Sequence, residues 1–219
     1  MSELYHEGSR RLQDRFDSRR LADRLEERVF RGDVIREDSR AFIERMDMFF
    51  LATADEHGAP QCSYKGGEPG FVKVLDTRTV GFPSYDGNGM YFSMGNIAAA
   101  AKVGLLFLDF DTPHRLRLHG AATLHSDAAT LALWPGAELV VKIAVTQLFI
   151  NCPRYVHRYR RVDASPYVPD AAGCAPLAKW KRIDAFQDVL PAKDTGRVGD
   201  AGGEITLEHY FAEAQAGRG

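Results

Sequence analysis

The clearest chemical signature in the chain is SYDGNGMYFSMGNI, residues 84–97. Asp86, Gly87, Asn88 and Gly89 all favour turns and tolerate left-handed backbone angles, and one glycine at most would suffice to close a loop. Beyond Gly89, the residues Met90, Met94, Ile97 and Ala101 recur at spacings of four, three and four, which is one face of a helix. Ser93 and Asn96 fall on the opposite side. A helix N-terminus exposes unpaired N–H groups with a partial positive charge, and glycine on either side of Asn88 lets such groups converge on one point. The chemistry this indicates is the grip of a phosphate. The competing reading is that Asn88 caps the helix while the glycines merely turn the chain, and the stretch by itself leaves both open.

Other chemistries find less support. No GxxxxGK string occurs, and a dinucleotide fingerprint fails because Phe92 stands where its third glycine belongs. His114, His119 and His125 are spaced five and six apart, which places them on mismatched strand faces, so no metal site is expected. Cys62, Cys152 and Cys174 form no CxxC pair, which disfavours a zinc site or a disulfide framework and fits a reducing cytoplasm. No Ser-His-Asp arrangement has a nucleophile elbow, and Asp109 and Asp111 read as the end of a strand. Cys152, in NCPR, is either a redox thiol or a buried structural cysteine. Arg154, His157, Arg158, Arg160 and Arg161 cluster behind it and read mostly as a solvated face, with Arg154 the best candidate for receiving an acidic substrate.

The elements that must position the glycine-rich turn are mainly strands. FFLATA, PQCSYK, FVKVLD and TVGFPS are joined by turns, and VGLLFLDF, HRLRLHGAATLH and AELVVKIAVTQLFI follow the helix. VGLLFLDF is so continuously apolar that it is expected to be buried on both faces, whereas HRLRLHGAATLH alternates. Six or seven antiparallel strands with one helical insertion predict a closed or split barrel. Ahead of them, Leu12 and Phe16, then Leu21, Leu25 and Val29, predict one or two amphipathic helices that either lie on the parent domain or reach a partner subunit. Asp38 or Ser39 is expected to cap a short helix that turns Phe42, Ile43 and Met46 inward. The segment after residue 160 is rich in Pro, Gly, Ala and Asp, with LAKWKRIDAFQDVL as its ordered piece and LEHYFAEAQ as a tail helix.

Composition fits this picture. The 219 residues are 45% hydrophobic and 26% charged, with a net charge of −2. No global field recruits nucleic acid or an anionic membrane, which favours a small-molecule partner. The charged first thirty residues exclude a secretory signal, and no run approaches the ~20 apolar residues of a membrane span.

The succession GFVKVLD, TVGFPS, DGN, a helix with SMGNI, then KVGLLFLDF and HRLRLHGAATL resembles the pyridoxamine 5'-phosphate oxidase-like family of FMN-binding split barrels over about residues 35–155. The resemblance implies a homodimer of six-stranded antiparallel split barrels with FMN at the subunit interface. It also implies a phosphate contact at Asn88 and Gly89, with Ser93 and Asn96 nearby. Phe71, Val72, Lys73 and Val74 would run beside the flavin, Pro83 and Ser84 would close its other side, and Arg115 would reach it from the second subunit. Lys73 or Arg115 would stabilise the reduced ring, and NADH or NADPH would be a reductant. Two departures stand out: Asn88 and Gly89 replace the oxidase's Arg-Lys phosphate clamp, and Ala100 and Ala101 replace the Asn-Pro that ends the helix in relatives, so a longer helix is expected. The oxidase's substrate-holding Arg and His have no clear match, so pyridoxamine phosphate is not expected as substrate. The implied division is a helical arm (1–34), an FMN-binding split-barrel domain (35–160) and a loop-rich extension packed on the barrel (161–219). The implied function is a flavin-dependent oxidoreductase acting on a small organic molecule; the alternative is a carrier or sensor of flavin or haem without turnover.

Overall fold

The computed structural model describes residues 4–30 and 32–217. Residues 1–3 and 31 of the expected arm, and 218–219 of the expected extension, lie outside the described residues. The chain divides into two compact units between Val162 and Asp163.

The first unit opens with two helices, α1 (Glu7–Arg15) and α2 (Arg19–Val29). Arg10 ties them together through a 2.6 Å ion pair to Asp23. Their apolar stripe stays largely in solvent: Phe16 is 69% and Leu21 61% exposed, and Ala22 is the buried residue of α2. Helix α3 (Glu37–Arg45) begins after Arg36, not at Asp38 or Ser39 as expected. Asp38 accepts the Ser39 N–H within the first turn instead. Ile43 and Met46 are buried in the core as predicted, with Phe42 packed at its margin.

Seven strands follow: β1 (Met48–Ala54), β2 (Pro60–Gly66), β3 (Lys73–Asp76), β4 (Thr79–Ser84), β5 (Lys102–Asp109), β6 (His114–His125) and β7 (Leu139–Asn151). They form one antiparallel sheet in the order β2-β1-β5-β6-β7-β4-β3. The segments predict six or seven strands and seven form, one more than the six the resemblance implies, because each apolar segment makes its own strand and the long β7 pairs with both β6 and β4. No hydrogen bonding closes β2 onto β3, so the sheet curls without sealing.

The curl is visible in the core. Phe49 of β1 lies 5.0 Å from Phe82 of β4 and 5.3 Å from Phe107 of β5, centroid to centroid, although β1 and β4 are far apart in the sheet. All three rings are fully buried, each contributing about 1.5–3 kcal/mol by leaving water. Strand β5 corrects the expectation of two buried faces: Val103, Leu105 and Phe107 are buried, while Gly104, Leu106 and Leu108 are half-buried. Its unbroken apolar run hides an ordinary alternation. In β6 a register shift falls between His119 and Gly120, where any Cβ on Gly120 would strike the Ala144 carbonyl.

Helix α4 (Phe92–Ala99) fills the connection from β4 to β5 and packs on β1 and β6. The predicted longer helix does not form: Ala100 is extended, and Lys102 already pairs with Ala121 of β6. A one-turn helix, α5 (Ala128–Leu131), is capped by Asp127, whose side chain accepts the Thr130 N–H.

The second unit holds three 3-10 turns over Lys179–Arg182, Asp184–Val189 and Ala192–Asp194, then α6 (Arg197–Asp200) and α7 (Leu207–Gln215). The ordered piece and tail helix read from the sequence are both present. Its centre is an ion pair, Lys181 Nζ to Asp194 Oδ2 at 2.7 Å, with side chains 1% and 0% exposed. A parallel bridge joins Ile183 to Ile205. Among the described residues, no helix is long and apolar enough to cross a membrane.

Candidate anion-binding cleft

A cleft of about 330 Å³ opens where β2, the end of β4 and the start of α4 meet. The strand period of two turns Gln61, Ser63 and Lys65 of β2 to one face, and all three line it. Ser84, the loop residues 85 and 87–91, and the first turn of α4 complete the wall.

The loop differs from its sequence reading. Gly89 (φ 75°) and Tyr91 (φ 49°) are both left-handed, which a right-handed helix cannot absorb, so α4 starts at Phe92. Asn88 therefore does not cap the helix; its Oδ1 accepts the Met90 N–H at 3.0 Å in a local turn. Met90 is 56% exposed, and Ser93, expected on the outer side, is buried together with Met94 and Ile97. The first-turn N–H groups that lack helical acceptors are those of Phe92, Ser93 and Met94, and all three residues line the cleft.

Polar contacts bolt the helix to the sheet. Ser93 Oγ lies 2.9 Å from Ser63 Oγ, and Asn96 Nδ2 donates to Thr53 Oγ1 at 3.0 Å and to Gln61 Oε1 at 3.3 Å. Asn96 thus holds Gln61 in place and does not itself line the cleft.

Lys65 supplies the charge. It is half-buried, and burial pulls its pKa below the ordinary lysine value. Among the described residues no carboxylate pairs with it. A partly desolvated ammonium without a counter-charge is unfavourable until an anion arrives. Tyr85, also on the wall, has its phenol pKa raised by burial. Gly87 also lines the cleft; its φ is not left-handed and a Cβ there would meet nothing within 4 Å, so neither its backbone nor its neighbours require glycine. Lys65, Gln61, Ser63 and Tyr85 escaped the sequence reading; the signal for the first three was polar residues at alternate positions, which marks one strand face.

Of the residues read from the sequence, Ser84, Asn88, Gly89 and Ser93 come together at this cleft. Phe71, Val72, Val74 and Pro83 are buried, the first three in the core. The Phe71 carbonyl accepts Trp134 Nε1 at 2.7 Å, and the Val74 N–H donates to Glu44. Lys73 Nζ sits 5.8 Å from the centroid of the Trp134 ring. Arg115 lies on a different cleft, of about 240 Å³, with Asp38, Phe42 and Arg45.

The pyridoxamine 5'-phosphate oxidase family profile matches residues 35–155, more than half of the chain. The chain belongs to that family. The matched span runs from just before α3 to just past β7, and so contains the whole sheet and the cleft. Among solved structures, a putative pyridoxamine 5'-phosphate oxidase from Lactobacillus delbrueckii is 23% identical, with a TM-score of 0.45, over 55% of this chain and 98% of its own. HupZ from Group A Streptococcus is 18% identical, with a TM-score of 0.45, over 57% of this chain and 99% of its own. An FMN-binding protein from Syntrophomonas wolfei is 11% identical, with a TM-score of 0.40, over 64% of this chain and 97% of its own. A comparison with curated protein sequences found no match.

Cys152, just past the end of β7, is exposed, which rules out the alternative of a buried structural cysteine. The Arg154 N–H and guanidinium hold its thiol pKa below the ordinary value. Of the basic cluster, Arg161 pairs with Asp47 at 2.7 Å and Arg158 donates to the Asp111 carbonyl.

Proposed function

We propose that this chain binds FMN and acts as a flavin-dependent oxidoreductase on a small organic molecule. The observation that carries the proposal is Lys65, a half-buried ammonium with no carboxylate partner among the described residues, on the same cleft as two serine hydroxyls and the open first turn of α4. Family membership supplies the expectation of FMN, and the donor set fits its phosphate. Lys65 gives the charge, Ser63 and Ser93 give hydroxyl donors, and Gly87 and Gly89 keep side chains clear of the loop amides. These groups stand in for the missing Arg-Lys clamp.

FMN, when bound, supplies the hydride or electron transfer. The chain's part is to anchor the phosphate and to orient the molecule along Ser84, Asn88 and Gly89. Phe71, Val72 and Val74 serve this arrangement as core packing. Exposed Met90, Tyr91 and Phe92 on the cleft wall form an apolar stretch that a second copy would cover, which supports a homodimer with FMN at the subunit interface. In such a dimer Arg115, away from this chain's own cleft, serves the partner's flavin. NADH or NADPH is the reductant in this reading. The exposed free thiols of Cys62, Cys152 and Cys174 suit a reducing cytoplasm.

One observation favours a second reading. No carboxylate, imidazole or thiol lines the cleft among the described residues, so proton-transfer groups are few. A protein that carries or senses flavin or haem without turnover needs none.

The purified chain decides between these. A yellow protein that releases FMN on denaturation, is bleached by NADH or NADPH and is reoxidised by an added acceptor supports the enzyme. Bound FMN that no nicotinamide reduces supports the carrier, and a Soret band supports its haem form. A colourless protein that ignores added FMN contradicts both flavin readings.

A further inference from the structure

We propose that the second unit carries a binding site for a small carboxylate with an apolar body, built on Arg182. A groove of about 580 Å³ lies wholly within that unit. Pro166, Tyr167 and Leu177 form an apolar wall, and Lys179, Arg182 and Arg197 bring positive charge to it.

This concentration runs against the unit's composition, since residues 163–219 hold six Lys and Arg against nine Asp and Glu. Most of the cations are answered within the unit: Lys179 by Glu213 at 3.4 Å, and Lys181 and Arg197 by the single carboxylate of Asp194. Arg182 is different. Its Nε donates to the Gly203 carbonyl at 2.7 Å and its Nη2 to the Gly202 carbonyl at 3.0 Å. Both acceptors are neutral, and among the described residues no carboxylate pairs with Arg182.

These two bonds use the side edge of the guanidinium and fix its plane. Gly202 and Gly203, at φ 97° and 81°, present the carbonyls, and a Cβ on Gly202 would come within 3.4 Å of the guanidinium. The end-on fork of Nη1 and Nη2 remains, with its charge unanswered. A rigid planar fork matches the two oxygens of a carboxylate, and holding it fixed beforehand removes part of the entropic cost of binding. Lys181 and Arg197 share one carboxylate and so leave a second positive charge, which Asp200 on the groove offsets; the net single positive charge suits a monoanion better than a phosphate dianion.

Benzoate is the probe, with benzyl alcohol as its uncharged counterpart, in ligand-observed NMR titrations of the full chain. Benzoate is expected to bind saturably and at least about tenfold more tightly than benzyl alcohol, without displacement by equimolar inorganic phosphate. Arg182→Gln is expected to weaken benzoate about tenfold or more. Because that change also loosens the Gly202–Gly203 turn, Leu177→Glu, which leaves the turn intact and sets a carboxylate at the groove, is expected to do the same. Lys65→Gln in the first unit is expected to change nothing. Equal binding of benzyl alcohol, displacement by phosphate, indifference to both groove variants, or loss in Lys65→Gln would each overturn the proposal.

Discussion

Ser63 Oγ and Ser93 Oγ lie 2.9 Å apart and join the edge strand β2 to the first turn of α4. Two elements separated by thirty residues thereby share one wall of the cleft. Asn96 repeats the link one turn further along the helix, through Thr53 and Gln61. The open N–H groups of α4 are held in a fixed position relative to Lys65 by this polar seam, since the core lies on the helix's other contacts with Met94 and Ile97.

Breaking the seam is expected to cost stability and flavin affinity together. Ser93→Ala removes one hydrogen bond and should lower the unfolding free energy by about 0.5–1.5 kcal/mol in urea titrations. Asn96→Leu should cost more, about 1–3 kcal/mol, because it strands the buried Thr53 hydroxyl as well as Gln61. An Asn96→Leu protein as stable as the wild type would show that the seam carries no weight.

The two glycines of the loop are expected to respond oppositely. Gly89→Ala forces a left-handed residue and should destabilise the fold by about 1 kcal/mol or more. Gly87→Ala meets no neighbour and needs no unusual backbone angle, so its melting temperature should stay at the wild-type value. Its FMN affinity should nevertheless fall, because the added methyl enters the cleft. Unchanged affinity in Gly87→Ala, measured by flavin fluorescence quenching, would remove the ligand-side reason for that glycine.

Asp109 contributes to the acid sensitivity of the first unit. Partial burial acts to raise its pKa, but the Thr112 N–H and hydroxyl and the Arg45 guanidinium outweigh it and hold the group at about 2, below its ordinary 3.8. A depressed folded-state pKa means that the stabilisation is present above about pH 4 and is lost as pH falls toward 2. Asp109→Asn should be less stable than wild type at neutral pH, and the gap should close over that acid range. A gap that stays constant from neutral pH down to 2 would assign the effect to something other than this carboxylate.

The strands were legible because their apolar residues alternate or run unbroken between turn residues, and all seven segments formed where that pattern placed them. The helix face was less legible. Met90, Met94, Ile97 and Ala101 fit a helical period, and Met94 and Ile97 are buried, but Tyr91 is left-handed for reasons no periodicity carries, so the helix starts only at Phe92 and leaves Met90 outside it. β5 misled in another way: Leu106 and Leu108 are apolar on the half-buried face, so composition concealed the alternation. The cleft was half legible. Glycine-rich chemistry pointed to its loop, but its cation comes from β2, across the sheet from the loop in sequence, and only the fold brings Lys65 beside Ser93. A lysine between Tyr64 and Gly66 carries no local mark of being left without a counter-charge.

The central claim is that Lys65 and its neighbours hold a phosphate. The most direct measurement compares FMN with riboflavin, which differ by that group, in wild type and in Lys65→Gln. A charged hydrogen bond of about 1.5–3 kcal/mol predicts that the wild type binds FMN at least about tenfold more tightly, and that Lys65→Gln erases most of the difference while leaving riboflavin affinity unchanged. Equal affinity of the wild type for FMN and riboflavin, or the same preference for FMN in Lys65→Gln as in wild type, would contradict the account.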